Sequence, residues 1–215
     1  MPNFLMINGS PRKNGTANMF CQRLQHNLGG EIVSLYNKVL PLPTLLEKII
    51  SADTIILVGP CYVNTYPGTV TELFEYLSNY TSQLKGKSWY GIIEGGMPYT
   101  HTHESGLKHL KCFCESCGMH YKGGFLLTMA PLLNGSPLEN HKFSKKVVPA
   151  FDQFVTAIKM DTISPDQLYY DLAPKMPLWI TRLLALFLSH MMDSQFKKSG
   201  FNPKEPSPYL SKRTN

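Results

Sequence analysis

The sequence predicts an α/β fold in which a doubly wound sheet of five parallel strands carries helices on both faces, with a helical C-terminal extension. Short apolar runs and helix-like segments alternate five times over the first 160 residues. The run at 53–59, DTIILVG, is apolar almost throughout and is typical of a fully buried strand. A polar loop with two glycines follows the first apolar run directly. Such alternation favours a parallel sheet, which binds ligands outside the carboxyl ends of its strands.

The strands are predicted from short apolar runs that end at turn residues. The first, NFLMI, ends at Asn8-Gly9. The full set covers residues 3–7, 31–35, 53–59, 88–93 and 121–128. We therefore look for function in the loops after strands one, three and four.

The helices are predicted from apolar residues at helical spacing. In the first, Met19, Phe20, Leu24 and Leu28 fall on one face, and Gly29-Gly30 ends it. The predicted helices cover residues 16–28, 44–51, 69–84, 106–117 and 139–160. These strands and helices predict two parts: an α/β domain over residues 1–160 and a helical extension over residues 161–215.

Composition excludes several classes of protein. The chain has 215 residues, of which 43% are hydrophobic and 17% charged, so neither a disordered chain nor an integral membrane protein is favoured. The net charge of +6 is spread along the chain rather than collected in one stripe. It slightly favours anionic small molecules and does not indicate nucleic-acid binding.

The N-terminal sequence and the cysteines indicate a compartment. MPNFLMINGS has neither a basic segment nor a long apolar one, so we expect no secretory signal. The five cysteines are an odd number, which favours reduced thiols. We expect the protein to be cytoplasmic.

The loop at residues 8–16, NGSPRKNGT, has the chemistry of an anion site. Its glycines let the backbone amides turn inward, Ser10 and Thr16 carry hydroxyls, and Arg12 carries a guanidinium. The positive end of the following helix points at the same place. A simple capping turn is the plainer alternative, but it needs neither this length nor Arg12.

Other phosphate loops do not match these residues. A nucleotide-triphosphate loop needs Gly-Lys-Ser/Thr, whereas Thr16 follows Gly15 directly. A dinucleotide loop needs three glycines in the GxGxxG register, which residues 9–15 lack, and a phosphatase loop needs a cysteine. The loop is therefore predicted to bind a phosphate without transferring it.

Three motifs together resemble the NAD(P)H-dependent FMN reductases of the flavodoxin-like superfamily. They are the loop at 9–16, the aromatic loop GPCYVNTYPG at 59–68 before a helix with Leu73 and Phe74, and Glu94-Gly95-Gly96 after the fourth strand. They occur in the family's order, and the resemblance covers about 160 residues of the chain. The resemblance implies a flavodoxin-like fold.

The resemblance also implies where FMN binds. Its phosphate would lie in the loop at 10–17, and its ring between the loops at 60–64 and 94–99. The implied cofactor residues are Ser10, Arg12, Asn14, Gly15, Thr16, Ala17, Pro60, Cys61, Tyr62, Val63, Asn64, Glu94, Gly95, Gly96 and Tyr99. Tyr66 would add aromatic surface beside the ring. Because the flavin carries the redox chemistry, no catalytic residue is assigned.

The activity implied is an FMN-dependent oxidoreductase that takes electrons from NADPH or NADH and passes them to a quinone, a nitro or azo compound, or a flavin. A flavodoxin-type electron carrier and a non-catalytic flavin-binding module are the alternatives. A carrier is typically acidic, and the pI of about 9.0 argues against one. Tyr99, His101 and His103 could contact the substrate or donate a proton, but polar loop residues are common without such a role.

The remaining cysteines invite a metal or iron–sulfur interpretation. Cys112, Cys114 and Cys117 would fan around one helix, and no fourth cysteine lies nearby. We therefore predict thiols without a metal. Cys61 lies in the predicted flavin loop.

The extension contains an apolar run at 178–192. It is shorter than the roughly 20 residues that a spanning helix needs, and it includes Arg182 and His190. No transmembrane segment is therefore expected. We expect the run to help build a homodimer and one wall of the substrate pocket, while peripheral contact with a membrane beside Lys197-Lys198 is the alternative.

Overall fold

The computed structural model of the protein describes residues 2–36, 40–172, 177–200, 202 and 205. The chain divides into two compact units, Met1–Pro174 and Lys175–Asn215. The first holds the sheet and its helices, and the second holds the apolar run of the extension.

The first unit is built on a sheet of five strands in the order β2-β1-β3-β4-β5. All four neighbouring pairs are parallel. The strands are β1 (Phe4–Asn8), β2 (Glu31–Ser34), β3 (Thr54–Pro60), β4 (Ser88–Glu94) and β5 (His120–Leu127). The predicted doubly wound parallel sheet, and with it the flavodoxin-like fold class, is confirmed.

Helices cover both faces of this sheet. They are α1 (Thr16–Leu28), α2 (Leu42–Ser51), α3 (Gly68–Leu77), α4 (Thr81–Leu84), α5 (Glu104–Ser116), α6 (Ser144–Lys159) and α7 (Gln167–Tyr170). Because both faces are covered, every residue of β1, β3 and β4 is buried. This explains why these strands are continuous apolar runs rather than alternating ones.

The side chains of each strand divide between two apolar clusters. On β3, Ile55 and Leu57 join the cluster under α2, α3 and α5, whereas Ile56 and Val58 join the cluster under α1 and α6. The period of two along a strand produces this division. The sheet is thereby fixed between two apolar layers, and the loops at its carboxyl end are held on a rigid frame.

Two predicted helices are shorter than the sequence suggested. The helix predicted over 69–84 is interrupted by a 3₁₀ turn at Ser78–Tyr80, where the Asn79 amide donates to the backbone carbonyls of Glu75 and Tyr76. The helix predicted over 139–160 begins only at Ser144. There the His141 imidazole contacts the Thr128 carbonyl oxygen and accepts a hydrogen bond from the Phe143 N–H.

The first unit extends past residue 160, the predicted domain boundary. The Ser164 N–H donates to the Lys122 carbonyl oxygen near the start of β5, and Tyr169 and Leu172 are buried in the two clusters. The segment after α6 therefore completes the core.

The second unit contains α8 (Leu178–Lys198), which forms at the predicted apolar run. Many of its described large apolar side chains are exposed, among them Trp179, Leu183, Leu186, Phe187 and Phe196. Within the described part of the chain, no helix combines the length and the apolar character that crossing a membrane requires.

Candidate functional site

A cleft of about 200 Å³ lies at the carboxyl end of the sheet, where β1, β3 and β4 end. The Gly9 N–H donates to the Val58 carbonyl oxygen at 2.7 Å, which holds the loop after β1 against the end of β3. The cleft is lined by Ser10, Arg12, Gly15, Thr16, Pro60, Cys61, Tyr62, Glu94, Gly95, Gly96, Pro131 and Asn134. It lies where parallel sheets bind their ligands.

The first wall of the cleft is the loop between β1 and α1. The Ser10 N–H donates to Asn8 Oδ1 at 3.0 Å, and the Arg12 N–H donates to Ser10 Oγ at 3.1 Å. These side-chain turns lead the chain to Gly15, the N-cap of α1, which has no side chain to cap the helix. The first turn of α1 carries no acidic residue. The amides of this helix end are therefore suited to an anion.

The second wall is the turn that follows β3. The Cys61 N–H donates to the Glu94 carbonyl oxygen at 2.7 Å, which ties this wall to the end of β4. The backbones of Tyr62 and Thr65 then pair with each other, and the two residues between them are both left-handed. Val63, at φ 50°, is 96% exposed. A β-branched residue is strained there, so this wall contains local backbone strain.

The third wall is the loop after β4. The Gly95 N–H donates to the Leu127 carbonyl oxygen at 2.9 Å, and the Gly95 carbonyl oxygen accepts a hydrogen bond from the Ala130 N–H at 3.0 Å. A side chain on Gly95 would overlap the imidazole ring of His103, whereas one on Gly96 would only touch Pro131 at 3.6 Å. Glycine is thus required at 95 by close packing.

Glu94 carries the acidic group of the cleft. Its side chain is 8% exposed. Burial raises the pKa of this carboxyl to about 7, although the Arg12 guanidinium and a hydrogen bond from the Ala17 backbone N–H act to lower it. Ala17 belongs to the first turn of α1. The Glu94 carboxyl therefore lies near the N-terminal end of α1, which the loop after β1 leads into.

The loop after β5 contributes two residues that the sequence analysis missed, Pro131 and Asn134. Thr16 Oγ1 donates to the Ala130 carbonyl oxygen at 3.2 Å, and Gly135, at φ 82°, packs on the backbone of Gly15. The Asn134-Gly135 pair is a turn signal that could have directed attention to this loop.

The structure brings together ten of the fifteen predicted cofactor residues. These are Ser10, Arg12, Gly15, Thr16, Pro60, Cys61, Tyr62, Glu94, Gly95 and Gly96. The other five do not line the cleft. Asn14 lines a separate groove beside β2, Ala17 is buried in the core, and Val63 and Asn64 are exposed at the tip of their turn. Tyr99 stacks on His101 at 5.5 Å between ring centres.

Two aromatic residues of these loops lie elsewhere than expected. Tyr66 is buried under the sheet, where its hydroxyl donates to the Ile92 carbonyl oxygen at 3.2 Å, so it cannot offer a surface in the cleft. His103 is also buried, and its Nε2 contacts the Met97 carbonyl oxygen at 3.1 Å. Burial lowers the pKa of His103, which favours the neutral imidazole.

The three cysteines at the end of α5 differ in burial: Cys114 and Cys117, the C-cap, are buried, whereas Cys112 is exposed. Among the residues that the structure describes, no three His, Cys, Asp or Glu side chains form a group that could hold a metal ion.

Comparison with protein families gives one match. The model of the family described as NADPH-dependent FMN reductase matches residues 2–126, which include β1 to β4, all of α1 to α5 and most of β5. No curated protein matches the chain.

Solved structures share the fold at low sequence identity. An NADH:FMN oxidoreductase in its apo form is 18% identical, covers 79% of this chain and 94% of its own, and has a TM-score of 0.57. An FMN-dependent NADH-azoreductase from Bacillus anthracis, in complex with FMN, is 14% identical over 73% of this chain and 99% of its own, with a TM-score of 0.53. An NADPH-quinone reductase from P. pentosaceus is 13% identical, and the match covers 82% of this chain and 100% of that chain, with a TM-score of 0.53.

Proposed function

Because the chain belongs to the NADPH-dependent FMN reductase family, and is accordingly an NAD(P)H-dependent flavin oxidoreductase with FMN as its cofactor, we propose that the cleft at the carboxyl end of the sheet is its FMN site. The FMN phosphate binds at the loop of residues 10–17, and the ring lies between the loops that follow β3 and β4. The observation that supports this most is the start of α1, which has no side-chain cap and opens beside Arg12.

The donors of the cleft fit a phosphate. Arg12 supplies a charged fork, Ser10 a hydroxyl, and the first turn of α1 its amides. A side chain built at Gly15 would meet no atom within 4 Å, so the backbone is open to a close ligand there. The Thr16 hydroxyl already donates to Ala130, so we expect Thr16 to contribute its backbone N–H instead.

The walls of the cleft suit a flat aromatic ring. Gly96 lets the ring approach the backbone closely, and Tyr62 offers aromatic surface in the same cleft. When bound, FMN supplies the hydride and electron transfer chemistry. The chain's own task is then to bind the phosphate, orient the ring and leave one face of it open to the two substrates.

We expect the electron acceptor to be a small molecule: a quinone, a nitro or azo compound, or a free flavin. Structures of the same fold include a quinone reductase and an azoreductase, which supports this class without selecting one member. The net charge of +6 favours anionic substrates such as NADPH over a role as an acidic electron carrier.

The proposed activity is tested on the purified full chain loaded with FMN. NADPH or NADH should bleach the flavin absorbance, and an added quinone or azo dye should restore it with turnover. Flavin that neither nucleotide reduces would contradict the proposal and favour an electron carrier. Protein that stays colourless in excess FMN would contradict the FMN site itself.

Two predictions about the whole protein remain proposals. We expect a homodimer built through the extension, because α8 exposes large apolar side chains. We also expect a cytoplasmic location, which is supported by the five free thiols. Fractionation of the native host tests the second.

A further inference from the structure

The cleft contains one acid, Glu94, among the lining residues that the structure describes. The only other charged side chain among them is Arg12. The Glu94 carboxyl and the Arg12 guanidinium line the same cleft. Arg12 and the backbone N–H of Ala17, in the first turn of α1, both act to lower the pKa of this carboxyl. These are two of the donors that the proposed phosphate site depends on.

A carboxylate and a phosphate cannot both use these donors at full charge. Two anions a few ångströms apart repel each other, and burial strengthens the repulsion because little water screens it. A neutral carboxylic acid removes the conflict, since its O–H can donate to a phosphate oxygen. The protonation of Glu94 therefore decides how well the cleft accepts a dianion.

We infer that Glu94 couples the binding of the FMN phosphate to the uptake of one proton, so that FMN is held with Glu94 in its neutral form. This inference rests on the proposed function. It makes Glu94 a residue that sets the affinity for flavin as a function of pH.

The other titratable groups around Glu94 do not account for the uptake of this proton. Arg12, on the loop after β1, carries a guanidinium that only donates hydrogen bonds. Burial raises the pKa of Cys61, on the turn after β3, so this thiol stays protonated near neutral pH. Burial lowers the pKa of His103, which packs on Gly95. In contrast, Glu94, with a pKa of about 7, changes charge in this range.

The test is calorimetric titration of FMN into the full chain freed of flavin. Running it at pH 8 in two buffers with different heats of ionisation gives the number of protons taken up. We expect the wild type to take up close to one proton per FMN, because a neighbouring phosphate raises the pKa of Glu94 further. Free FMN contributes little at this pH, since its phosphate titrates near pH 6.

Glu94→Gln should take up no such proton. Its affinity for FMN should match the wild type at pH 6 and exceed it by about tenfold at pH 8, because each pH unit above the pKa weakens wild-type binding about tenfold. Glu104→Gln is the matched control, since Glu104 lies on α5 outside the cleft and pairs with Lys108. It should behave as the wild type.

Binding of FMN without proton uptake by the wild type at pH 8 overturns the inference alone, and this result does not depend on any variant folding. Equal affinities of the wild type and Glu94→Gln across this pH range do the same. If the folded wild type binds no FMN, the inference falls together with the proposed function.

Discussion

At the scale of single residues, Glu94 links the cleft to the stability of the fold. Its pKa is raised from 4.5 to about 7 because burial disfavours the carboxylate. The folded protein therefore binds this proton more tightly than the unfolded chain does. The stabilising effect is complete below about pH 4.5 and is lost as the pH rises through about 7.

We predict that Glu94→Gln removes this dependence. Without ligand, its free energy of unfolding should equal that of the wild type near pH 4.5 and exceed it by about 3 kcal/mol at pH 8, since a pKa unit corresponds to about 1.4 kcal/mol. Urea denaturation at both pH values measures the difference. A gap that is the same at pH 4.5 and pH 8 would contradict the assignment.

Gly95 and Gly96 lie side by side in the cleft but differ in their surroundings. Gly95→Ala should lower the free energy of unfolding by about 1–3 kcal/mol, because its new methyl group overlaps the buried ring of His103. Gly96→Ala is the control and should change it by less than about 0.5 kcal/mol, since its methyl only touches Pro131. Urea denaturation compares the two variants, and equal losses would show that His103 does not hold this loop.

At the scale of elements, α5 packs closely on β4. The contact is made at Gly106, where an added methyl group would overlap Cδ1 of the buried Ile93. The start of α5 is fixed by this contact, and with it the end of the loop that carries Gly95 and Gly96.

A double-mutant cycle tests this contact. Gly106→Ala should destabilise the wild type by about 1 kcal/mol through overpacking. In an Ile93→Val background, which lacks the overlapping atom, the same change should be neutral or stabilising by up to about 1 kcal/mol, because alanine favours a helix over glycine. Thermal or urea unfolding of the four proteins gives the coupling. Equal effects in both backgrounds would contradict the packing described.

The elements also show what a sequence can predict. The bounds of α1 match the prediction from Met19, Phe20, Leu24 and Leu28, because local spacing and the following glycines determine them. The strands followed from their apolar runs, since both faces of the sheet are covered.

Features that depend on contacts distant in sequence were not predictable. Pro131 and Asn134 reach the cleft because the loop after β5 folds back on α1 through Thr16 and Ala130. The loop sequence predicts Tyr66 at the surface, but its ring packs against Gly59 and Gly91 and is buried in the core. The late start of α6 depends on His141 reaching the Thr128 carbonyl oxygen.

At the scale of the whole molecule, α8 raises the question of assembly. It presents apolar side chains on all sides with few charges, which is typical of a helix that another surface buries. We predict that Leu186→Glu combined with Phe187→Glu, at positions 68% and 64% exposed, dissociates the proposed homodimer. Ile163→Glu changes an exposed apolar residue of the first unit and is the control. Sedimentation equilibrium measures the mass; an unchanged dimer in the α8 variant would contradict this role.

The central claim is that the loop after β1 and the start of α1 hold the phosphate of FMN. Fluorescence titration of FMN into the flavin-free protein tests it most directly. We predict one tightly bound FMN per chain, with affinity reduced at least about 100-fold when Arg12→Glu is combined with Ser10→Ala, since hydrogen bonds to charged groups contribute about 1.5–3 kcal/mol each. Lys13→Glu makes the same charge change on the same loop outside the cleft and should weaken binding only a few-fold. Equal affinity of the double variant and the wild type, or no uptake of FMN by folded wild type, would contradict the claim.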